Sequence, residues 1–302
     1  AGVGAVTARR VDTAALTETR AANPGRIGEA WGERALRQLL PADGRLLLVA
    51  ADHPARGALG VRGDPMAMAS RSELLGRLVT ALERPGVDGV LGTPDVLEDL
   101  LLLGALEGKV AVGSMNRGGL QGSAWELDDR FTAFTAAQIQ DRGLDGGKML
   151  TRISLDHPGT VATLEACARA VGELSDLGRM AMVEPFWSVV EDGRVRNLLD
   201  PDSMIRAVNV ASGLGASSAH TWLKLPVVED LARVMDATTL PTLLLGGDPT
   251  GGAAETYASW GRALDLPAVR GLVVGRALLF PLDGDVASAV DIAADLVHGG
   301  VS

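Results

Sequence analysis

Eight times along this chain a short apolar run gives way to a longer stretch whose apolar residues recur at helical spacing, and this alternation limits the possible folds more than any other feature. The runs are Leu46–Ala51, Gly89–Gly92, Val110–Gly113, Gly147–Ile153, Met180–Glu184, Thr221–Leu225, Thr242–Leu245 and Leu272–Val274. They recur roughly every 32 residues, enough for one strand, one helix and two loops. Helix starts between them are marked by Ser70 with Glu73 three on, Thr93 before Pro94, Pro158 after Asp156, and Asp202 after Pro201. Eight such units predict an α/β fold, a closed (β/α)8 TIM barrel, rather than an open doubly wound sheet. In an open sheet a G-x-G-x-x-G turn should follow the first strand; here Asp52-His53-Pro54-Ala55-Arg56-Gly57 follows. Gly213-Leu214-Gly215 comes after a helix and reads as its C-terminal cap.

Ahead of the first run, Asp12 to Leu40 reads as polar and helical, so residues 1–43 are expected to form an N-terminal helical extension. The longest stretch without a strand signal, Ser114 to Thr132, holds Gly, Asn, Trp and charges rather than low-complexity linker, so residues 1–302 are expected to form one domain with a decorated third loop.

The 28 Lys and Arg against 38 Asp and Glu leave a net charge of -10, the wrong sign for tracking a phosphate backbone, and nucleic acid is not an expected partner. No run approaches the roughly 18 apolar residues of a membrane span, and no basic-then-apolar leader is visible, so a cytoplasmic protein without membrane contact is expected. Cys167, the single cysteine, excludes an intrachain disulfide and a multi-cysteine metal site, and its apolar surroundings assign it to the core. The four histidines, His53, His157, His220 and His298, make no H-x-H or H-x-x-x-H pair, so a mechanism with no metal and no other cofactor is expected.

In a barrel, chemistry sits at the C-terminal ends of the strands. Two of the three lysines, Lys148 and Lys224, lie inside the fourth and sixth runs; the third, Lys109, precedes a run and reads as a surface charge. A lysine in a barrel lumen is costly to desolvate, which favours the neutral amine needed for imine formation, unless it is simply held in an ion pair. Glu184 and Asp52 close the fifth and first runs, each after three or more apolar residues, which points them toward the lumen. One carboxylate near two amines can shuttle protons, and a second can orient a hydroxyl or hold a lysine charged. The seventh and eighth runs end in Gly246-Gly247-Asp248 and Gly275-Arg276, where backbone N–H groups and a fixed cation match the phosphate position of many barrels. His53, Arg56, Asn116, Arg117 and Arg152 are further substrate-binding candidates.

With Asp52, Lys148, Glu184, Lys224 and Gly275-Arg276 in that order on five strands, the chain resembles the class I aldolase superfamily of DeoC, LacD and archaeal fructose-bisphosphate aldolase type, over roughly Leu46 to Asp295. The resemblance implies a lysine imine on Lys224. Ala51-Asp52-His53-Pro54-Ala55-Arg56-Gly57, Gly113-Ser114-Met115-Asn116-Arg117-Gly118-Gly119 and Asp145-Gly146-Gly147-Lys148-Met149-Leu150 are similar to an actinobacterial subfamily found beside inositol-catabolism genes. That similarity implies cleavage of 5-dehydro-2-deoxygluconate 6-phosphate into dihydroxyacetone phosphate and malonate semialdehyde. A ketose-bisphosphate, sulfofructose-phosphate or deoxyribose-phosphate substrate stays open. So do a non-catalytic phosphosugar-binding or regulatory barrel and an isomerase using Glu184 as base. The expected partner is a small phosphorylated sugar or sugar acid, and a homo-oligomer is expected.

Overall fold

A computed structural model describes residues 7–300. Nine strands form one sheet: β1 (Leu46–Ala51), β2 (Gly89–Gly92), β3 (Val110–Ser114), β4 (Gly146–Ile153), β5 (Met180–Glu191), β6 (Arg194–Leu198), β7 (Thr221–Pro226), β8 (Thr242–Leu245) and β9 (Val269–Val274). Parallel pairing runs β1 to β5, on through β7, β8 and β9, and back to β1, which closes an eight-stranded barrel. β6 stands outside the ring and pairs antiparallel with the end of β5. Each expected strand is present. β7, β8 and β9 are therefore the sixth, seventh and eighth barrel strands.

Strand alternation separates two apolar layers. Leu46, Leu48, Ala50, Val110, Val112, Met180, Met182, Leu243 and Val273 fill the lumen. Their neighbours Leu47, Val49, Ala51, Ala111, Ala181, Val183, Leu244 and Val274 face the helices. The outer ring consists of α3 (Arg71–Leu82), α4 (Pro94–Leu102), α5 (Ala136–Asp141), α6 (Gly159–Asp176), α7 (Pro201–Ser212), α8 (Leu231–Met235), α9 (Ala253–Leu264), α10 (Arg276–Leu279) and α11 (Val286–His298). Ser70 caps α3 by accepting from the Glu73 amide, and Gly213 is the C-cap of α7. Cys167 is fully buried on α6, where desolvation pushes its thiol up to about 12, so it is an inert core residue.

The N-terminal extension is helical only in α1 (Ala14–Ala22) and α2 (Gly25–Glu33). The expected continuation to Leu40 fails because Arg34 is drawn under the barrel, where its guanidinium donates to the carbonyls of Lys109 and Gly143, each at 2.9 Å. Lys109, read as a surface charge, is half-buried and donates to the Val87 carbonyl at 2.8 Å. At this same end of the barrel Asp88 accepts from the Leu47 amide and from Arg37, and His298 of α11 bridges Asp88 and Asp43. Among the described residues no helix is long and apolar enough to cross a membrane.

Candidate active site

Strand alternation also decides which polar residues enter the lumen. Continuing the inward set by two residues from Ala50, Met182 and Trp222 gives Asp52, Glu184 and Lys224; Lys148 lies opposite Met182 in the β4–β5 register. All four are at most 8% exposed. They form a chain of contacts. Lys148 Nζ lies 2.8 Å from Glu184 Oε1 and 3.1 Å from Asp52 Oδ2, while Lys224 Nζ lies 3.6 Å from Glu184 Oε2. Ser114, the next inward position on β3, adds its hydroxyl to Asp52 Oδ2 at 3.2 Å.

Burial penalises every charge in this group, and mutual pairing opposes the penalty. Burial raises Glu184, but Lys148 and Lys224 overcome it and hold the carboxyl at about 2. Burial raises Asp52 as well, but Arg117, Lys148 and Lys224 overcome it and hold the carboxyl well below the carboxylate range. Lys148 moves the other way: desolvation outweighs Asp52 and Glu184 and lowers its ammonium to about 8. The site therefore keeps two ionised carboxylates beside an amine that titrates close to neutrality.

The loops after β8 and β9 complete one side of a cavity of about 1370 Å³, lined by Asp52, Lys148, Glu184, Lys224, Gly246 and Gly275 among others. A side chain at Gly275 would meet the Ala50 carbonyl oxygen and the His53 ring, each at 2.6 Å. Only glycine brings that backbone so close to β1. Gly247, with φ +65°, turns the β8 loop in the left-handed region. Arg276 projects from the start of α10, with Nη1 3.5 Å from the Gly60 carbonyl and 4.0 Å from Asp248.

The other arginines are bound into the protein. Arg56 donates to the carbonyls of Gly119 and Asn116 and pairs with Asp129 at 2.7 Å. Arg152 donates to the carboxylate and the backbone carbonyl of Glu126. Both line the cavity, but their terminal nitrogens fasten the loop after β3 to the barrel. Arg117 donates from Nη1 to the Asp52 carbonyl, and its Nη2 lies 3.2 Å from the Asp52 carboxylate. Asn116 is fully buried and, unlike the other candidates, is not part of the cavity wall; its amide exchanges hydrogen bonds with the backbone of Leu150 as a strand residue would.

Sequence reasoning missed the loop acids Glu126 and Asp129 and the β5–β6 hairpin, which brings Arg194 and Asn197 to the cavity. Asp192-Gly193, with φ +50° and +73°, is a two-residue hairpin turn that the sequence does spell out. Among the described residues no group of three or more His, Cys, Asp or Glu could hold a metal ion.

The arrangement suits imine chemistry: a lumenal amine, a carboxylate within reach of its proton, a second amine near its own titration point, and glycine loops with Arg276 at the ends of the next strands. A search of curated proteins finds no match. The crystal structure of Cgl0159 from Corynebacterium glutamicum (Brevibacterium flavum) is 56% identical, covering 94% of this chain and 96% of that one, with a TM-score of 0.92. An archaeal fructose 1,6-bisphosphate aldolase shares the fold at 17% identity, with 91% and 100% coverage and a TM-score of 0.65. A Schiff-base-forming fructose-1,6-bisphosphate aldolase does so at 18% identity, with 90% and 100% coverage and the same TM-score of 0.65. The sequence profile of Cgl0159-like proteins matches residues 44–294, and the chain belongs to the Cgl0159-like family.

Proposed function

We propose that this protein is a class I aldolase that cleaves a phosphorylated keto-sugar or keto-sugar acid through an imine on Lys224. The observation that carries the reading is the lumenal Lys224 amine, 3.6 Å from a carboxylate that is itself 2.8 Å from the second buried lysine.

In this reading Lys224, once it has given up a proton, attacks the substrate ketone to give a carbinolamine, which loses water to form a protonated imine. Glu184 or Lys148 takes the proton from the hydroxyl on the carbon beta to the imine. The carbon–carbon bond breaks, an aldehyde leaves, and the electron pair enters the imine to form an enamine. Protonation of the enamine carbon and addition of water release the ketone product and regenerate the amine. Lys148, titrating at about 8, is the group best matched to donate and recover a proton near neutral pH. Asp52 holds Lys148 in place and faces the substrate hydroxyls. Gly246, Gly247, Gly275 and Arg276 bind the phosphate, using affinity remote from the reacting bond to position the ketone at Lys224.

The similarity of the Asp52, Asn116 and Lys148 segments to the inositol-associated subfamily supports 5-dehydro-2-deoxygluconate 6-phosphate as substrate, with dihydroxyacetone phosphate and malonate semialdehyde as products. The test is a panel of phosphorylated ketoses and keto-acids assayed for triose-phosphate release. Release from this compound above the others supports the reading. Ligand binding without turnover would select a binding barrel instead, and solvent-deuterium uptake without cleavage would select an isomerase.

A further inference from the structure

His53 follows Asp52 at the end of β1 and opens a short 3₁₀ turn, His53–Arg56. Its ring forms part of the cavity wall and abuts the β9 loop so closely that a methyl group on Gly275 would sit 2.6 Å from His53 Cε1. Nδ1 is buried with no hydrogen-bond partner. Nε2 is not among the fully buried unpartnered atoms, so it is the ring nitrogen that keeps exposure, on a residue that lines the cavity.

This asymmetry chooses the tautomer. A proton on Nδ1 would be an orphaned buried donor, whereas an unshared lone pair there is better tolerated. The proton of a neutral ring therefore belongs on Nε2, aimed into the cavity. A second proton is disfavoured. Burial, followed by Arg276, Lys224 and Lys148, holds the imidazole down to about 3, although Asp52 next to it pulls the other way. Asp52 is itself engaged with Lys148, Arg117 and Ser114.

We propose that His53 is a neutral hydrogen-bond donor of the headgroup subsite, its Nε2–H adding a side-chain arm to the Gly246, Gly275 and Arg276 wall. This rests on the reading of that wall as the phosphate site. A donor that carries no charge adds direction without another cation in a lumen that already holds Lys148, Lys224 and Arg117, so it selects an oxyanion with an oxygen aimed at β1.

Sulfate, a dianion throughout the working range, is the probe. Nitrogen-15 spectra of the histidine rings, with the His53 signals assigned through His53→Gln, should show a neutral Nε2–H tautomer at His53 from pH 6 to 8, and sulfate should shift that resonance. His53→Gln, which keeps a donor, should bind sulfate within about threefold of the parent. His53→Phe, which keeps the bulk without the donor, should bind it about tenfold or more weakly, the loss expected for one hydrogen bond to a charged group. An Nδ1–H tautomer, a cationic ring at pH 7, or equal affinities for the Gln and Phe variants would overturn the proposal. Sulfate that perturbs the Gly246 and Gly275 amides but not His53 would overturn it alone. Sulfate that perturbs none of them would remove the headgroup subsite as well.

Discussion

Lys148→Met removes the cation that two buried carboxylates share, and its cost can be worked from the contacts. Lys148 Nζ is 2.8 Å from Glu184 and 3.1 Å from Asp52, and all three side chains are at most 11% exposed. Breaking a buried pair by deleting one partner costs about 3–5 kcal/mol because a charge is left uncompensated. The displacement of Glu184 from 4.5 to about 2, which Lys148 and Lys224 produce together, corresponds to about 3 kcal/mol at 1.36 kcal/mol per pH unit and bounds the share that runs through this carboxylate. The signs follow from linkage. In the parent, Glu184 is depressed, so its contribution is complete above pH 4.5 and disappears as pH falls through about 2. In the variant only Lys224 opposes burial, so Glu184 rises from its parent value, and the share of the deficit due to its charge is relieved when the carboxyl takes up a proton. Urea unfolding should show a deficit of about 3–5 kcal/mol at pH 7 that shrinks by at least 1 kcal/mol at pH 5. A deficit below about 1 kcal/mol, or one independent of pH, would refute the idea that Lys148 holds these carboxylates ionised.

Arg276→Gln should raise KM for a phosphorylated substrate about 10–100-fold, the value of one charge-assisted contact, with a much smaller effect on the same compound lacking phosphate; steady-state kinetics on the pair of compounds checks it. At the opposite end of the barrel, the hydrogen bond to Asp88, aided by Asp43, raises His298 to about 9. A raised pKa contributes stability that is complete below about pH 6.5 and lost as pH rises through about 9, so thermal unfolding should drop by about 1–2 kcal/mol across that window in the parent and stay flat in His298→Gln.

The barrel was legible because its eight strands are apolar on both faces, so each stands out as a short unbroken run. The same alternation carried the catalytic candidates: a charged residue two positions beyond an inward apolar one has to point into the lumen. What the sequence could not reveal was how the arginines divide. Arg56, Arg117 and Arg152 look alike as loop or strand-end cations, and only their tertiary partners separate the two that pin the third loop from the one beside Asp52. Asn116 deceives for a related reason, since its side chain imitates a backbone amide on β4. The β5–β6 hairpin was readable in part. Pro185 after Glu184 reads as a strand end, yet the strand continues to Glu191, and the Asp192-Gly193 turn signals the return.

The central claim is that the Lys224 amine is the nucleophile. Incubating the intact protein with dihydroxyacetone phosphate, reducing with borohydride and mapping the modified peptide by mass spectrometry tests it directly. The account predicts one stable adduct, on Lys224, absent from Lys224→Met. Bound ligand with no adduct, or an adduct on Lys148 instead, would contradict it.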